Sequence, residues 1–142
     1  MTNDLEIIVS IRFTDEECKC ELNPHEITEL LGIQPTSSWK KGEIFSKWPV
    51  QAQINGWELE SGLPRTADVD GHLNALKEKI GQATNKVVKL AQQWNAYINY
   101  VHYVKGYGSA VVLDKKWIKW SGDLGFGIVV DTYSVEDEEE KM

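Results

Sequence analysis

The chain contains, near its start, the segment that organises the rest of the fold: Asn23-Pro24-His25-Glu26-Ile27-Thr28-Glu29-Leu30-Leu31-Gly32. Asn23 is a favoured N-cap residue, and Pro24 suits the first helical position because its missing N–H would have no partner there. Glu26 lies three residues after the cap and can bond back to it. Gly32 can adopt the positive φ that ends a helix. The segment therefore predicts a short capped helix with one apolar side, formed by Ile27, Leu30 and Leu31.

Alternating patterns predict strands on both sides of this helix. Residues 6–13 place apolar side chains at the odd positions, which is typical of a half-buried strand. Residues 48–61 are also extended by pattern, and Asn55-Gly56 within them is a signal for a two-residue hairpin turn. The strand after this turn has two different faces, with Trp57 and Leu59 on one and Glu58 and Glu60 on the other.

The second half of the chain predicts two helical segments, a hairpin over residues 96–113, a short helix after Asp114 and a last strand. The apolar run Ile128-Val129-Val130 favours a central position for that strand. From Trp57 onward the order is β-α-β-β-α-β, a ferredoxin-like succession with a strand and a helix added in front. We expect an α+β fold, a mostly antiparallel sheet with helices packed on one face. Residues 1–134 form one domain in this reading, and residues 135–142 form a disordered acidic tail.

The charge of the chain limits its possible partners. The formal net charge is −7, and the last eight residues hold five acids and one lysine. This balance argues against nucleic acid as the partner. The start lacks a signal-peptide pattern, and no apolar run reaches the ~18 residues of a membrane span. Cys18 and Cys20, the only cysteines, cannot easily form an unstrained disulfide. We therefore expect a cytoplasmic protein that does not bind membranes.

The sequence predicts no catalytic residue, no metal and no cofactor. It lacks the phosphate-binding, zinc-protease and serine-hydrolase motifs, and its three histidines have no metal-ligand spacing. Glu58, Glu60 and Asp131 could form an acid–base set. The alternative is structural: one of these carboxylates pairs with Arg12 or a lysine. We favour the structural alternative because ion pairs are the more frequent role of such groups.

A polar segment after the first helix is the best candidate for recognition. Trp39, followed by Lys40, Lys41 and Gly42, could stack on a planar group or anchor a protein partner, because tryptophan is a frequent hot-spot residue. The alternative is that Trp39 folds back onto the core. The predicted binding residues are Trp39, Lys40, Lys41, Gly42, Trp57, Glu60 and Arg65.

Three motifs in this order resemble a bacterial family known as domain of unknown function 4279: Thr28-Glu29-Leu30-Leu31-Gly32-Ile33-Gln34-Pro35-Thr36, Trp39-Lys40-Lys41-Gly42 and Trp57-Glu58-Leu59-Glu60-Ser61. The similarity extends to the opening strand, the helix around 73–80 and the ending Val129-Val130-Asp131-Thr132-Tyr133. It covers nearly the whole chain except the acidic tail. The resemblance implies a small bacterial domain without an established reaction, and it supplies no site residues.

Three hypotheses for function follow. The first is a non-enzymatic protein-binding module, in its concrete form an immunity-type inhibitor of a basic toxin, since acidic inhibitors are steered toward basic targets. The second is a domain that binds a small ligand or an anion, with or without weak hydrolase activity, at the predicted residues. The third is a structural homodimer that uses an edge strand or the Trp39 loop as its interface.

Overall fold

The computed structural model describes residues 6–44, 51–105 and 110–135. The described residues form five strands and four α-helices, and a short 3₁₀ turn (Gly81–Ala83) joins the second helix to the third. The elements are, in chain order, β1 (Glu6–Thr14), α1 (Pro24–Leu31), β2 (Ser37–Trp39), β3 (Gly56–Glu60), α2 (Val69–Ile80), α3 (Thr84–Gln93), β4 (Asn95–Lys105), α4 (Lys115–Leu124) and β5 (Gly127–Val135).

The strands form one mixed sheet in the order β2-β3-β1-β4-β5. All neighbouring pairs are antiparallel except β4 and β5, which run parallel. A parallel pair needs a long crossover connection, and here α4 lies between the two strands in the chain. The structure thus confirms the predicted fold class, an α+β domain with a mostly antiparallel sheet.

The helices cover one face of the sheet. In β1 the odd positions Ile7, Val9, Ile11 and Phe13 are at most 2% exposed. They share one core cluster with the buried residues of all four helices, among them Leu76, Val87 and Leu124. Because successive side chains of a strand point to opposite faces, the even positions of β1 lie on the other face. The alternation predicted for residues 6–13 is therefore confirmed.

The helix ends follow the predicted capping chemistry. The Asn23 side chain accepts a hydrogen bond from the backbone N–H of His25, and Gly32 ends α1 at φ 69°. Asp68 caps α2 and Asp114 caps α4 in the same manner. These side chains satisfy N–H groups that have no partner inside the helix.

The predicted ferredoxin-like succession is not what the described residues show. β4 is one continuous strand to Lys105, and residues 110–113 form no strand; the turn expected at 106–109 lies outside the described residues. Among the described residues, β5 pairs only with β4 and lies at the edge of the sheet, so its expected central position was wrong. Its apolar run does not reflect burial on both faces, because Ile128 is half-buried and Val129 and Val130 are exposed.

The described residues also show no hairpin at Asn55-Gly56; residues 48–50 of its predicted first strand lie outside the described ranges. Asn55 is held by other partners: its backbone N–H and its side-chain amide both donate to the Asp15 carboxylate. Its side-chain oxygen accepts from the Lys41 N–H at 2.8 Å. β3 begins at Gly56 and pairs with β1 and β2.

Candidate functional site

The face of the sheet opposite the helices carries the candidate site, and we call it the helix-free face. Strand register assigns its members, because residues opposite each other in paired strands share a face. Ser10 is opposite Glu60, Arg12 is opposite both Glu58 and Tyr97, and Tyr103 is opposite Tyr133. The face carries Glu6, Ser10, Arg12, Ser37, Trp39, Glu58, Glu60, Tyr97, Tyr103, Val129, Asp131 and Tyr133.

Trp39 lies at one end of this face, directly on Gly56 of the neighbouring strand. Its indole occupies the space that a Cβ at Gly56 would need, so glycine permits the close approach of ring and backbone. The guanidinium carbon of Arg12 lies 5.7 Å from the centre of the indole ring, a cation–π distance. Trp39 is half-buried, so one part of the predicted recognition residue packs on the strand and another part meets solvent.

A polar network holds Arg12 in this position. Its Nε donates to Glu58 Oε2 at 2.7 Å, and the Ser10 hydroxyl donates to the same oxygen at 2.7 Å. Burial by itself lowers the pKa of Arg12, but the Glu58 charge and the Tyr97 hydroxyl raise it above its ordinary value. Glu58 is thus a structural partner of Arg12, as the structural alternative predicted, and not a free acid–base group.

Glu60 lies two residues further along β3 on the same face. Burial raises the pKa of its carboxyl group, and the nearby Glu58 carboxylate raises it further. Arg65, Arg12 and Lys79 act in the opposite direction without cancelling this effect. The ionised form of a carboxyl group that lies near a second negative charge is stabilised by any cation that approaches it.

A second aromatic group lies at the other end of the helix-free face. The rings of Tyr103 and Tyr133 stack with centres 5.5 Å apart and an interplanar angle of 26°. The guanidinium carbon of Arg65 lies 5.4 Å from the centre of the Tyr103 ring. Tyr133 remains 52% exposed. This end of the helix-free face therefore presents two stacked phenol rings and one arginine side chain at the surface.

The charges of the helix-free face sum to a negative value. Three cations, Arg12, Arg65 and Lys105, face four carboxylates from Glu6, Glu58, Glu60 and Asp131, which gives a formal charge of −1. The residues within the four α-helices carry a formal charge of +2. The molecule is therefore polarised, with acidic charge on the side that no described helix covers.

The predicted binding residues do not form a single site. Lys40, Lys41 and Gly42 form an exposed turn after β2, in which Gly42 has φ 95°. Trp57 is fully buried on the helix side, where its indole N–H donates to the Thr28 hydroxyl at 3.0 Å. Glu60 and Arg65 lie on the helix-free side, away from that core position. A binding role for each of these residues stays a prediction.

Two shallow grooves contain part of the predicted set. One, which we call the Trp39 groove, has a volume of about 290 Å³. The other, the His72 groove, has about 180 Å³. Both lie below the ~300–1,000 Å³ that is usual for small-molecule sites. The Trp39 groove is lined by Trp39 and Lys40 with Pro24, His25, Thr28, Gln34, Pro35, Ser38 and Glu43; the His72 groove is lined by Glu60, Ser61, Arg65 and His72 with Ile7, Ile8, Gly62 and Leu63.

A buried Ser–His pair lies in the His72 groove. The Ser61 oxygen and His72 Nδ1 are 2.6 Å apart, and the two residues are 4% and 1% exposed. His72 Nε2 is buried without a hydrogen-bond partner of good geometry. Burial lowers the pKa of His72, although the nearby carbonyls of Ala67 and Pro64 and the charge of Asp68 act in the opposite direction. The imidazole is thus neutral near pH 7 and ties α2 to the end of β3.

Sequence reasoning missed several residues of the helix-free face. Tyr97, Tyr103 and Tyr133 were read only as strand residues, and Arg12 was considered only as a structural partner for a carboxylate. The alternation within β1 already placed Arg12 on the face away from the core, so one signal was present. No pattern in the sequence indicated that β4 pairs with β5, and this pairing brings Tyr103 and Tyr133 together. The Ser61–His72 contact had no signal, because eleven residues with no helical or strand spacing separate the two.

The described residues offer neither a metal cluster nor a membrane-crossing helix. Within residues 6–44, 51–105 and 110–135, no group of three or more histidine, cysteine or acidic side chains is arranged to hold a metal ion. In the same part of the chain, no helix has both the length and the apolar character that crossing a membrane requires.

Comparison with known proteins identifies the family. The chain belongs to the family described as Domain of unknown function (DUF4279), whose model matches residues 5–135. The resemblance in the motifs of α1, β2 and β3 is thereby confirmed. No curated protein and no solved structure matches the chain.

Proposed function

We propose that this protein is a non-enzymatic binding module that engages a basic protein partner through the helix-free face. The observation that supports the proposal is the composition of that face: four exposed or half-exposed aromatic side chains and two arginines on a surface of net negative charge. Tyrosine, tryptophan and arginine are the residues most enriched in interface hot spots. The negative charge favours a cationic partner and disfavours nucleic acid.

The geometry of the face suits recognition by a macromolecule. Its side chains stand on five hydrogen-bonded strands, so their positions are set before binding and little conformational entropy is lost. Trp39 is held on Gly56, and Tyr103 is held between Arg65 and Tyr133. The grooves beside it are small for a drug-sized ligand. A broad, rigid surface with aromatic groups at both ends fits a protein better than a metabolite.

A specific form of this proposal is an immunity-type inhibitor of a basic toxin in the cytoplasm of a bacterium. A chain of net charge −7 attracts a cationic enzyme over several ångströms and accelerates encounter. The two free cysteines, Cys18 and Cys20, fit a reducing compartment. A toxin gene beside the gene of this protein and protection of cells that express that toxin are the expected findings. Failure to protect those cells would reject the inhibitor form alone.

Capture from a lysate of the source organism tests the module itself. The wild-type protein is compared with Tyr103→Ala/Tyr133→Ala and with Trp39→Ala/Lys40→Ala/Lys41→Ala, and the retained proteins are identified by mass spectrometry. Ile118→Ala serves as the control, because Ile118 is 55% exposed on α4, away from the helix-free face. We expect a basic protein that wild type and control retain and that both face variants lose while still folded. Equal retention by all four proteins would contradict the proposal.

A second candidate function rests on the His72 groove. Its buried Ser61–His72 pair, the unpartnered Nε2 atom and the adjacent Glu60 and Arg65 side chains could hold a small polar ligand or anion, and the serine could support weak hydrolysis. NMR titration with a panel of small carboxylates and phosphates, together with an activated ester, tests this function. Shifts that cluster at His72 would favour it over the protein-binding module, and Ser61→Ala would have to abolish any ester hydrolysis.

A further inference from the structure

The outer edge of β5 is an open template for strand pairing. β5 is nine residues long and, in the part of the chain that the structure describes, pairs on one side only, with β4. Within the described ranges, no backbone hydrogen bond outside the sheet reaches residues 127–135. A row of backbone N–H and C=O groups therefore faces outward along the strand. Such an edge can accept an additional extended strand.

The sequence of β5 lacks the usual protection against this pairing. Natural edges are commonly shortened or interrupted by lysine, proline or a bulge. The opposite edge strand, β2, has only three residues, of which two are exposed serines. β5 has the sequence Gly-Ile-Val-Val-Asp-Thr-Tyr-Ser-Val, without lysine, arginine or proline. Its pairing with β4 is regular in register from Gly127 to Val135. Only one edge of the sheet is thus long and unprotected.

The side chains of β5 connect this edge to the helix-free face. Val129, Asp131 and Tyr133 point to that face, because they lie opposite residues 99, 101 and 103 of β4. Val129 is 39% and Val130 42% exposed, so both sides of the edge present apolar surface. A strand added here would continue the sheet and place its own side chains beside Tyr133 and Asp131.

We propose that the partner adds an extended segment bearing lysine or arginine as a sixth strand beside β5. This inference rests on the proposed protein-binding function and specifies how the partner docks. Charge selects the occupant: Asp131 is the only charged residue of β5, and the sequence directly after the strand is Glu136-Asp137-Glu138-Glu139-Glu140. A second copy of this chain is the poorer occupant, because each copy carries a net charge of −7.

Peptide binding tests this docking without the natural partner. The probe is a fluorescein-labelled peptide, Lys-Val-Lys-Thr-Lys-Val-Lys-Thr-Lys, measured by fluorescence anisotropy at physiological salt. The control peptide is N-methylated at two consecutive central residues, so that each of its edges loses a donor while its charge is unchanged. We expect the control peptide to bind at least ten-fold more weakly. Equal binding of both peptides, or no binding of either, would overturn the inference.

Variants of the protein provide the matching control. Val130→Lys places a cation on the edge, and we expect it to weaken binding of the unmodified peptide at least ten-fold. Ile118→Lys adds the same charge on α4 and is expected to change binding less than two-fold. Sedimentation of the wild-type protein tests the other occupant. A dimer that Val130→Lys dissociates would overturn the inference in favour of a second copy.

Capture of the partner by these variants distinguishes a failure of strand pairing at β5 from a failure of the proposed function. If Val130→Lys still captures the basic partner that the Tyr103→Ala/Tyr133→Ala variant loses, the face binds the partner and β5 does not pair with it. If neither variant changes what is captured, the proposed function fails as well.

Discussion

The two faces of the sheet differ in what they contribute. On the helix side, β1 and β3 present Phe13 and Trp57, both fully buried, to an apolar cluster that includes side chains from every helix. On the helix-free side, the same two strands present Arg12 and Glu58, joined by a charge-assisted hydrogen bond of 2.7 Å. A single alternation of residues therefore separates the core from the face that we propose for recognition. Substitutions on one face are expected to change folding, and substitutions on the other are expected to change binding.

The largest expected difference is between two tryptophans. Trp57→Ala removes a fully buried indole and its hydrogen bond to Thr28, so we expect a loss of about 3–5 kcal/mol in the free energy of unfolding. Trp39→Ala removes a half-buried indole on the helix-free face and is expected to cost about 1 kcal/mol. Urea unfolding followed by circular dichroism measures both. Similar losses for the two variants would contradict the division between the faces.

Gly56→Ala tests the contact between Trp39 and the strand. The new methyl group would occupy the position of the indole, which must move away. We expect a loss of about 1–3 kcal/mol from overpacking. In the Trp39→Ala background the same substitution is expected to cost less, because its obstacle is gone. Urea unfolding of the two single variants and the double variant gives this coupling energy, and a value of zero would show that the indole does not occupy the site.

His72 makes the helix side sensitive to acid. Its pKa in the folded protein lies below the ordinary 6.5, chiefly through burial. The unfolded chain therefore takes up this proton first, and stability decreases as the pH falls below 6.5 toward the folded-state pKa. One proton contributes at most about 1.4 kcal/mol per pH unit.

Denaturant unfolding of wild type and His72→Gln between pH 7.5 and pH 5 measures this dependence. The variant is expected to lose part of the slope. His25→Gln, which changes an exposed histidine of α1, is the control and is expected to keep the slope. An unchanged slope in His72→Gln would assign the acid sensitivity to other groups.

The smallest expected effect on folding belongs to Tyr133. Its ring is 52% exposed and stacks on Tyr103, so Tyr133→Ala is expected to cost no more than about 1 kcal/mol. If the helix-free face binds the partner, the same substitution lowers the affinity for the captured protein at least ten-fold. Thermal unfolding and affinity measurements on one preparation sharpen the comparison. A large stability loss with unchanged affinity would reverse the assigned roles of the two faces.

Local signals in the sequence predicted much of the fold. The cap at Asn23 and the glycine at 32 bounded α1, and the alternation of residues 6–13 identified the buried side of β1. The prediction that Trp57 and Glu58 point to opposite faces of the sheet was also correct. Each of these features depends on neighbours within a few residues, where capping geometry and the period of a strand act directly.

Features that depend on distant pairing were not predictable. The apolar run of β5 indicated a central strand, yet the strand lies at the edge of the sheet and Val129 and Val130 are exposed. The candidate site has the same origin. Arg12, Tyr97 and Glu58 meet only because β1 lies between β3 and β4, which no local pattern specifies. Trp39 was singled out because it is a tryptophan followed by two lysines. Its contact with Gly56, however, follows from the pairing of β2 with β3.

The contact between Trp39 and Gly56 also has an evolutionary consequence. Glycine is favoured at position 56 while an indole lies on it, because the missing Cβ is the space that the ring fills. A relative with a small side chain at position 39 is free to accept alanine or serine at position 56. We therefore expect these two positions to vary together among descendants of the same ancestor, although seventeen residues separate them in the chain.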